Sequence, residues 1–266
     1  MTADTPLDAI PLDDRGLLLG DGLFETLLFT RGALVLAEDH ARRMQDGATV
    51  LGLPAPTTAG FVACATHAVG RAGLTGARAA VRVTLTAGSG GRGLDRPAQL
   101  QPQLFATAAP SVSPQTPARL AVAETRRNQA SPTSRLKTLA YLDNVLARRE
   151  ATAAGADEAL MLNTLGELTC AAAANLFWLK ADVLLTPAAE TGRLDGVMAR
   201  RVIEAALAQG LEVRQVREGA RALADADAIF LTNSLTGLRP ASLLGHAPPS
   251  PHPVVGRLAA ALAGFV

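Results

Sequence analysis

Only two lysines, Lys137 and Lys180, occur in a chain of 266 residues that otherwise uses arginine as its basic side chain. Chemistry that needs a primary amine as nucleophile therefore has two side chains to draw on. Lys137 stands in the run Leu136-Lys137-Thr138-Leu139-Ala140-Tyr141-Leu142-Asp143-Asn144. Apolar neighbours partly desolvate such an amine, lower its pKa and leave it free to attack a carbonyl carbon. The run reads as the opening of a helix from Leu136 to Ala154, stopped by Gly155, with Tyr141 at i+4 and Asn144 at i+7 on the lysine's face. Taken alone, the same pattern also describes a surface helix carrying a solvated lysine. The other reactive side chains say less. His40, His67, His246 and His252 have neither metal-ligand spacing nor the carboxylate pattern of a hydrolase triad, and His40 is expected to be a packing residue at a helix start. Gly88 to Gly93 lacks the phosphate-loop pattern and no lysine follows it, so a mobile turn between two strands is expected.

The elements that must position these residues can be read from periodicity and turn residues. Leu23 to Phe29 and Ala33 to Leu36, joined by Arg31-Gly32, predict a hairpin. A helix follows, with Asp39 as its N-cap and its end near Gly52-Leu53-Pro54. A second helix is expected over Thr58 to Ala72, a strand over Ala77 to Thr86, and another near Leu104. Residues 109–117 hold three prolines in nine positions, which is linker composition. The expected organisation is a small N-terminal domain over 1–108, a linker over 109–117 and a larger C-terminal domain over 118–266. In the latter, strands are expected at Leu120 to Glu124, Glu158 to Leu162, Asn175 to Leu179, Val183 to Leu185, around Val213 and Val216, and at Ala228 to Thr232. A helix should run from Val197 to Gln209. Helices intermixed with hairpins give an α/β (α+β) class with mixed sheets.

Composition excludes several functions. The formal net charge is +1 and aromatics make up 3% of the chain, so neither a basic stripe nor a stacking platform for nucleic acid is available. The two cysteines, Cys64 and Cys170, are far apart and form no CxxC pair, which argues against a disulfide framework or a structural zinc site and for a reducing compartment. Met1 to Asp14 carries four aspartates and no apolar core, unlike a signal peptide. No apolar run reaches the ~20 residues of a membrane span. A soluble, cytoplasmic protein without membrane or nucleic-acid partners is expected.

Seven segments then fall into one order: Gly20-Asp21-Gly22-Leu23-Phe24-Glu25-Thr26, His40-Ala41-Arg42-Arg43, Gly88 to Gly93, the Lys137 run, Ala174-Asn175-Leu176-Phe177-Trp178, Asp195-Gly196-Val197-Met198 and Thr232-Asn233-Ser234-Leu235. Through them, residues 15–245 resemble the class IV aminotransferase family, the fold-type IV pyridoxal-phosphate (PLP) enzymes. The glycine turn, Ala-Ala-Asn-Leu-Phe-Trp and Thr-Asn-Ser-Leu point within it to the aminodeoxychorismate lyase branch.

The resemblance implies a fold-type IV architecture with PLP between the two domains and Lys137 as the residue that carries the cofactor. It assigns the dianionic phosphate to Arg43 and to the backbone N–H groups of Val197 and Met198, at a helix start where orphan donors and the macrodipole favour an anion. Ser234 and Thr236 would add hydroxyls, and Asn175 belongs to the same cofactor-binding set. At the position five residues before Asn175, the family places a glutamate that keeps the cofactor's pyridine nitrogen protonated. Here that residue is Cys170, and strand alternation is expected to aim Glu167 at the opposite face. Leu94 and Ala87 also depart from the family's pattern. The implied function is a PLP-dependent lyase converting 4-amino-4-deoxychorismate to 4-aminobenzoate and pyruvate, in folate biosynthesis. The alternatives are a class IV aminotransferase acting on branched-chain or D-amino acids, and a cofactor-binding member with catalysis weakened by Cys170. A homodimer with a small-molecule substrate is implied as well.

Overall fold

The structure, a computed structural model, describes residues 9–247 and 250–266, so the acidic opening as far as residue 8 lies outside the described residues. The chain forms two compact units. The first runs to Val112 and takes in Leu136–Ala140; the second comprises Ser113–Arg135 and Tyr141–Val266.

In the first unit, β1 (Gly22–Thr30), β2 (Ala33–Leu34), β3 (Ala79–Thr86) and β4 (Gln103–Pro110) make an antiparallel sheet in the order β2-β1-β3-β4. Leu23, Leu27, Val81, Val83 and Leu85 alternate onto one face, where they pack with Met44 and Phe61 from α2 (Ala37–Leu51) and α3 (Thr58–Arg71). Thr57 caps α3, its hydroxyl accepting from the Gly60 N–H. Asp39 is not the cap of α2. The helix begins two residues earlier, behind Leu36 in the left-handed conformation with φ 52°, so Asp39 sits in the first turn, where its charge still opposes the helix dipole. The strand after the hairpin turn is two residues long, because the chain bends at Leu36 directly into that helix. Ala109 and Pro110, read as linker, are the end of β4 and pair with Ala80 and Ala79. A proline is tolerated there because β4 is an edge strand.

The short helix α1 (Arg15–Leu19) precedes β1, capped by Asp14, whose Oδ1 accepts from the Gly16 and Leu17 N–H groups. Arg15 reaches from it into the glycine turn, donating to the carbonyls of Gly93 at 3.3 Å, Leu94 at 3.0 Å and Asp95 at 3.0 Å. Asp21 binds Arg15 and Arg96 together. The turn expected to be mobile is thus held by two arginines.

The second unit carries an eight-stranded mixed sheet: β5 (Ala118–Val122), β6 (Glu158–Leu162), β7 (Leu168–Ala171), β8 (Asn175–Lys180), β9 (Val183–Pro187), β10 (Glu212–Val216), β11 (Ala228–Asn233) and β12 (Gly237–Leu243), in the order β10-β9-β8-β11-β12-β5-β6-β7. The pairs β9–β10, β5–β12 and β5–β6 are parallel and the rest antiparallel. Helices α4 (Leu142–Ala153), α5 (Val197–Ala208) and α6 (Pro253–Leu262) accompany it. Trp178, Leu120, Leu160 and Leu176 fill one core, while α4 packs a second, built almost wholly of alanines, against β6 and β7. No helix among the described residues is long and apolar enough to cross a membrane.

Candidate functional site

Lys137 is not on a helix. The Phe24 N–H donates to its carbonyl at 2.9 Å, the Leu139 N–H donates to the Gly22 carbonyl at 3.0 Å, and Thr138 bridges Leu23. This stretch lies extended along β1, on the edge that β3 does not use, and backbone groups bonded to a strand cannot also close helical turns. The helix starts only at Leu142, so Tyr141 and Asn144 do not share a helical face with the lysine. Instead the Asn144 side-chain amide donates to the Ala172 carbonyl at 2.8 Å. The Lys137 amine lies 4.1 Å from the centroid of the Phe24 ring, and the Arg82 guanidinium lies 3.6 Å from the same centroid. Two cations on one ring concentrate positive charge there, stabilised by the ring's quadrupole.

The neighbouring residue of β1, Glu25, is buried with 1% of its surface exposed. Arg43 grips it at two points, Nε to Oε1 at 2.7 Å and Nη2 to Oε2 at 2.6 Å. His40 Nδ1 lies 2.7 Å from Oε2. Strand alternation sends Phe24 and Glu25 to opposite faces of β1, so the amine and the guanidinium meet successive residues of one strand from its two sides. His40 is therefore more than a packing residue. A signal for this network was present in the sequence: a lone carboxylate inside Leu-Phe-Glu-Thr-Leu-Leu-Phe must find partners if the strand is buried.

In the second unit the first turn of α5 is presented by a fixed loop. Gly196, at its N-cap, has no side chain to cap the helix. A Cβ there would stand 1.9 Å from Asn175 Oδ1. The Asn175 Nδ2 donates to the Leu194 carbonyl at 2.8 Å, so the first residue of β8 holds the loop that leads into Val197 and Met198. Arg127 and Asn163 hold the same loop earlier, donating to the Gly192 and Thr191 carbonyls. Asn175 is the register partner of Thr232 on β11, and the turn after β11 contains Ser234 and Thr236. Asn233 Oδ1 organises that turn, accepting from the N–H groups of Leu235 and Thr236 and from the Thr236 hydroxyl at 3.0 Å. Asn175, the α5 tip and the Ser234–Thr236 turn are thus gathered at one end of the sheet.

Cys170 lies on β7. It is 5% exposed and packs among Ala147, Ala151, Ala159, Met161 and Ala172, with the Thr169 hydroxyl 3.3 Å from its sulfur. Glu167 precedes β7 and is not governed by its alternation. Its carboxylate accepts from Asn163 Nδ2 at 2.7 Å and from Arg217 Nε at 2.9 Å.

The comparisons with known proteins agree with one another. A family model described as Amino-transferase class IV matches residues 22–244. The aminodeoxychorismate lyase of Vibrio harveyi is 29% identical over 242 residues, covering 89% of this chain and 88% of the relative. The crystal structure of 4-amino-4-deoxychorismate lyase from Pseudomonas aeruginosa superposes with a TM-score of 0.84 at 29% identity, covering 97% of this chain and 96% of that one. The D-alanine aminotransferase of Bacillus licheniformis is 24% identical over 234 residues, covering 87% of this chain and 82% of the relative. The family match begins at the first residue of β1 and ends just past β12, so it takes in every element that presents the residues above, and the chain belongs to the class IV aminotransferase family.

Proposed function

We propose that this chain is a PLP-dependent lyase that converts 4-amino-4-deoxychorismate to 4-aminobenzoate and pyruvate. PLP asks three things of a protein: an amine to carry it, a cradle for a dianionic phosphate, and a partner for its ring nitrogen. Lys137 meets the first, its backbone fixed along β1 and its amine set against Phe24. The second suits Gly196, whose missing side chain leaves the α5 tip bare, with the Val197 and Met198 N–H groups, Arg43 and Ser234 as further donors; Thr236, whose hydroxyl and N–H donate to Asn233, holds the turn that presents Ser234. Asn175 positions that tip. For the third, the position where the family's pattern has a carboxylate holds the Cys170 thiol, packed among apolar neighbours.

When bound, the cofactor supplies an electron sink for the amino-bearing carbon. The residues of this chain do the rest. Lys137 would hold the cofactor through its amine and, once released as a free base, would carry a proton from the amino-bearing carbon toward the departing enolpyruvyl group. Phe24 and Arg82 flank the amine and orient it. The reading extends to a cytosolic homodimer, checked by sedimentation.

The observation that carries the lyase over a transaminase is Cys170. A thiol holds a pyridinium poorly, which weakens the sink that transamination depends on, whereas elimination gains its driving force from the aromatic ring it creates. The test is formation of 4-aminobenzoate by the wild type and by Lys137→Ala. Loss of product in the variant, together with loss of a borohydride-sensitive absorbance band, is the expected result. A Lys137→Ala enzyme as active as wild type sinks the assignment. The runner-up, an aminotransferase, rests on the D-alanine aminotransferase likeness and predicts rapid amino-acid-driven conversion of the bound cofactor to its pyridoxamine form.

A further inference from the structure

Glu25 is the one charged group in β1, and its side-chain hydrogen bonds come from His40 and Arg43 of α2. A buried carboxylate costs several kcal/mol unless it is paired and hydrogen-bonded, which explains why partners are present. It does not explain their geometry. Arg43 is gripped by its Nε and Nη2 edge, a two-point contact that fixes the plane of the guanidinium. His40 in turn fixes the rotation of the carboxylate through Nδ1.

The charge state of His40 follows from its surroundings. Its Nε2 is buried and has no partner among the described residues. Protonation of both nitrogens would leave an N–H donor buried and unpaired, while the tautomer with its proton on Nδ1 leaves only an acceptor. Burial lowers the pKa of His40, its hydrogen bond with Glu25 opposes this, and the net direction is down. The ring is neutral and donates to Glu25 without adding charge.

We propose that Glu25, steadied by neutral His40, is a positioning residue that presets the guanidinium of Arg43 for a phosphate ester. The proposal rests on the assignment of Arg43 to the cofactor phosphate. A carboxylate this close also cancels part of the arginine's charge. Its electrostatic effect on phosphate binding is unfavourable, and only orientation can make its net effect favourable. The two effects have opposite signs, so binding measurements separate them.

The experiment is equilibrium binding of PLP and of pyridoxal, which lacks the phosphate, to the wild type and to Glu25→Gln, with far-UV circular dichroism as a check on folding. The wild type should bind PLP more tightly than pyridoxal. Glu25→Gln should lose about ten-fold or more of its PLP affinity, the size of a charged hydrogen bond, with pyridoxal affinity unchanged. Equal losses for both ligands, no loss, or tighter PLP binding overturn the proposal. A wild type that does not discriminate between the ligands instead overturns the assignment of Arg43, and the proposal with it. If Glu25→Gln does not fold, the decision passes to His40. His40→Asn keeps a donor near the Nδ1 position and should retain the discrimination that His40→Ala loses; identical behaviour of the two overturns the proposal.

Discussion

Burial by itself would raise the carboxyl pKa of Glu25. The charge of Arg43 and the hydrogen bonds from His40 and Arg43 overcome it and bring the value down to about 2 from an ordinary 4.5. A carboxyl whose pKa is lowered on folding contributes stability that is fully present above its unfolded value and disappears as pH falls through the folded one. Glu25 should therefore add on the order of 3 kcal/mol at neutral pH, lost between about pH 5 and pH 2. Chemical denaturation at pH 7 and pH 3 checks this: the gap in stability between wild type and Glu25→Gln should be wide at the first and narrower at the second. Cys64 gives a second outcome at this scale. Burial pushes its thiol up to about 11, so it should alkylate slowly at pH 8, as followed by mass spectrometry after iodoacetamide. Of these residue-level features, the two lysines and the thiol at 170 were legible in the sequence. The lone carboxylate of Glu25 signalled that partners were needed, but not which, because His40 and Arg43 lie 15 and 18 positions away and only packing of α2 on β1 brings them together.

Elements whose pattern and environment agree were readable. The helices α3 and α5 and the strand β11 fall close to the expected bounds because their apolar period and end signals point the same way. Residues 136–140 mislead for a physical reason. Leu, Lys, Leu and Ala favour a helix locally, but the free edge of β1 offers backbone partners that the chain takes instead. The strand β12 escaped reading because Pro240 interrupts it. The structure accommodates that proline where β12 pairs with β11 alone, since β5 joins only from Ala241. At this scale the loop before α5 is the most vulnerable point. Gly196→Ala would drive a methyl into Asn175 Oδ1, 1.9 Å from the ideal Cβ position, and break the hold on Leu194. The expected cost is several kcal/mol of stability, in the range of severe single substitutions, and a weaker grip on PLP than on pyridoxal. Thermal unfolding and the same binding pair measure both.

For the molecule as a whole, two units and a mixed sheet follow from an intermixed order of strands and helices, and the family was legible from motifs in register. The chemistry of the second unit can be tested through Cys170→Glu. A carboxylate placed among Ala147, Ala151 and Ala159 is buried without a cation, so the apo protein should unfold several degrees lower. Added PLP should restore more stability to the variant than to the wild type, and amino-acid-driven formation of the pyridoxamine form should quicken; equal rescue of both proteins would detach residue 170 from the cofactor ring.

The strip Leu136–Ala140 belongs to the first unit although the chain on both sides belongs to the second. No single cut can part the two cleanly. A gene truncated after Val112 would yield a protein with the upper edge of β1 bare, a template for self-association, and a synthetic peptide spanning 133–142 should restore it to a monodisperse species in size-exclusion chromatography. Exchanging the first unit for another would require the lysine-bearing strip to be transplanted from inside the sequence of the second.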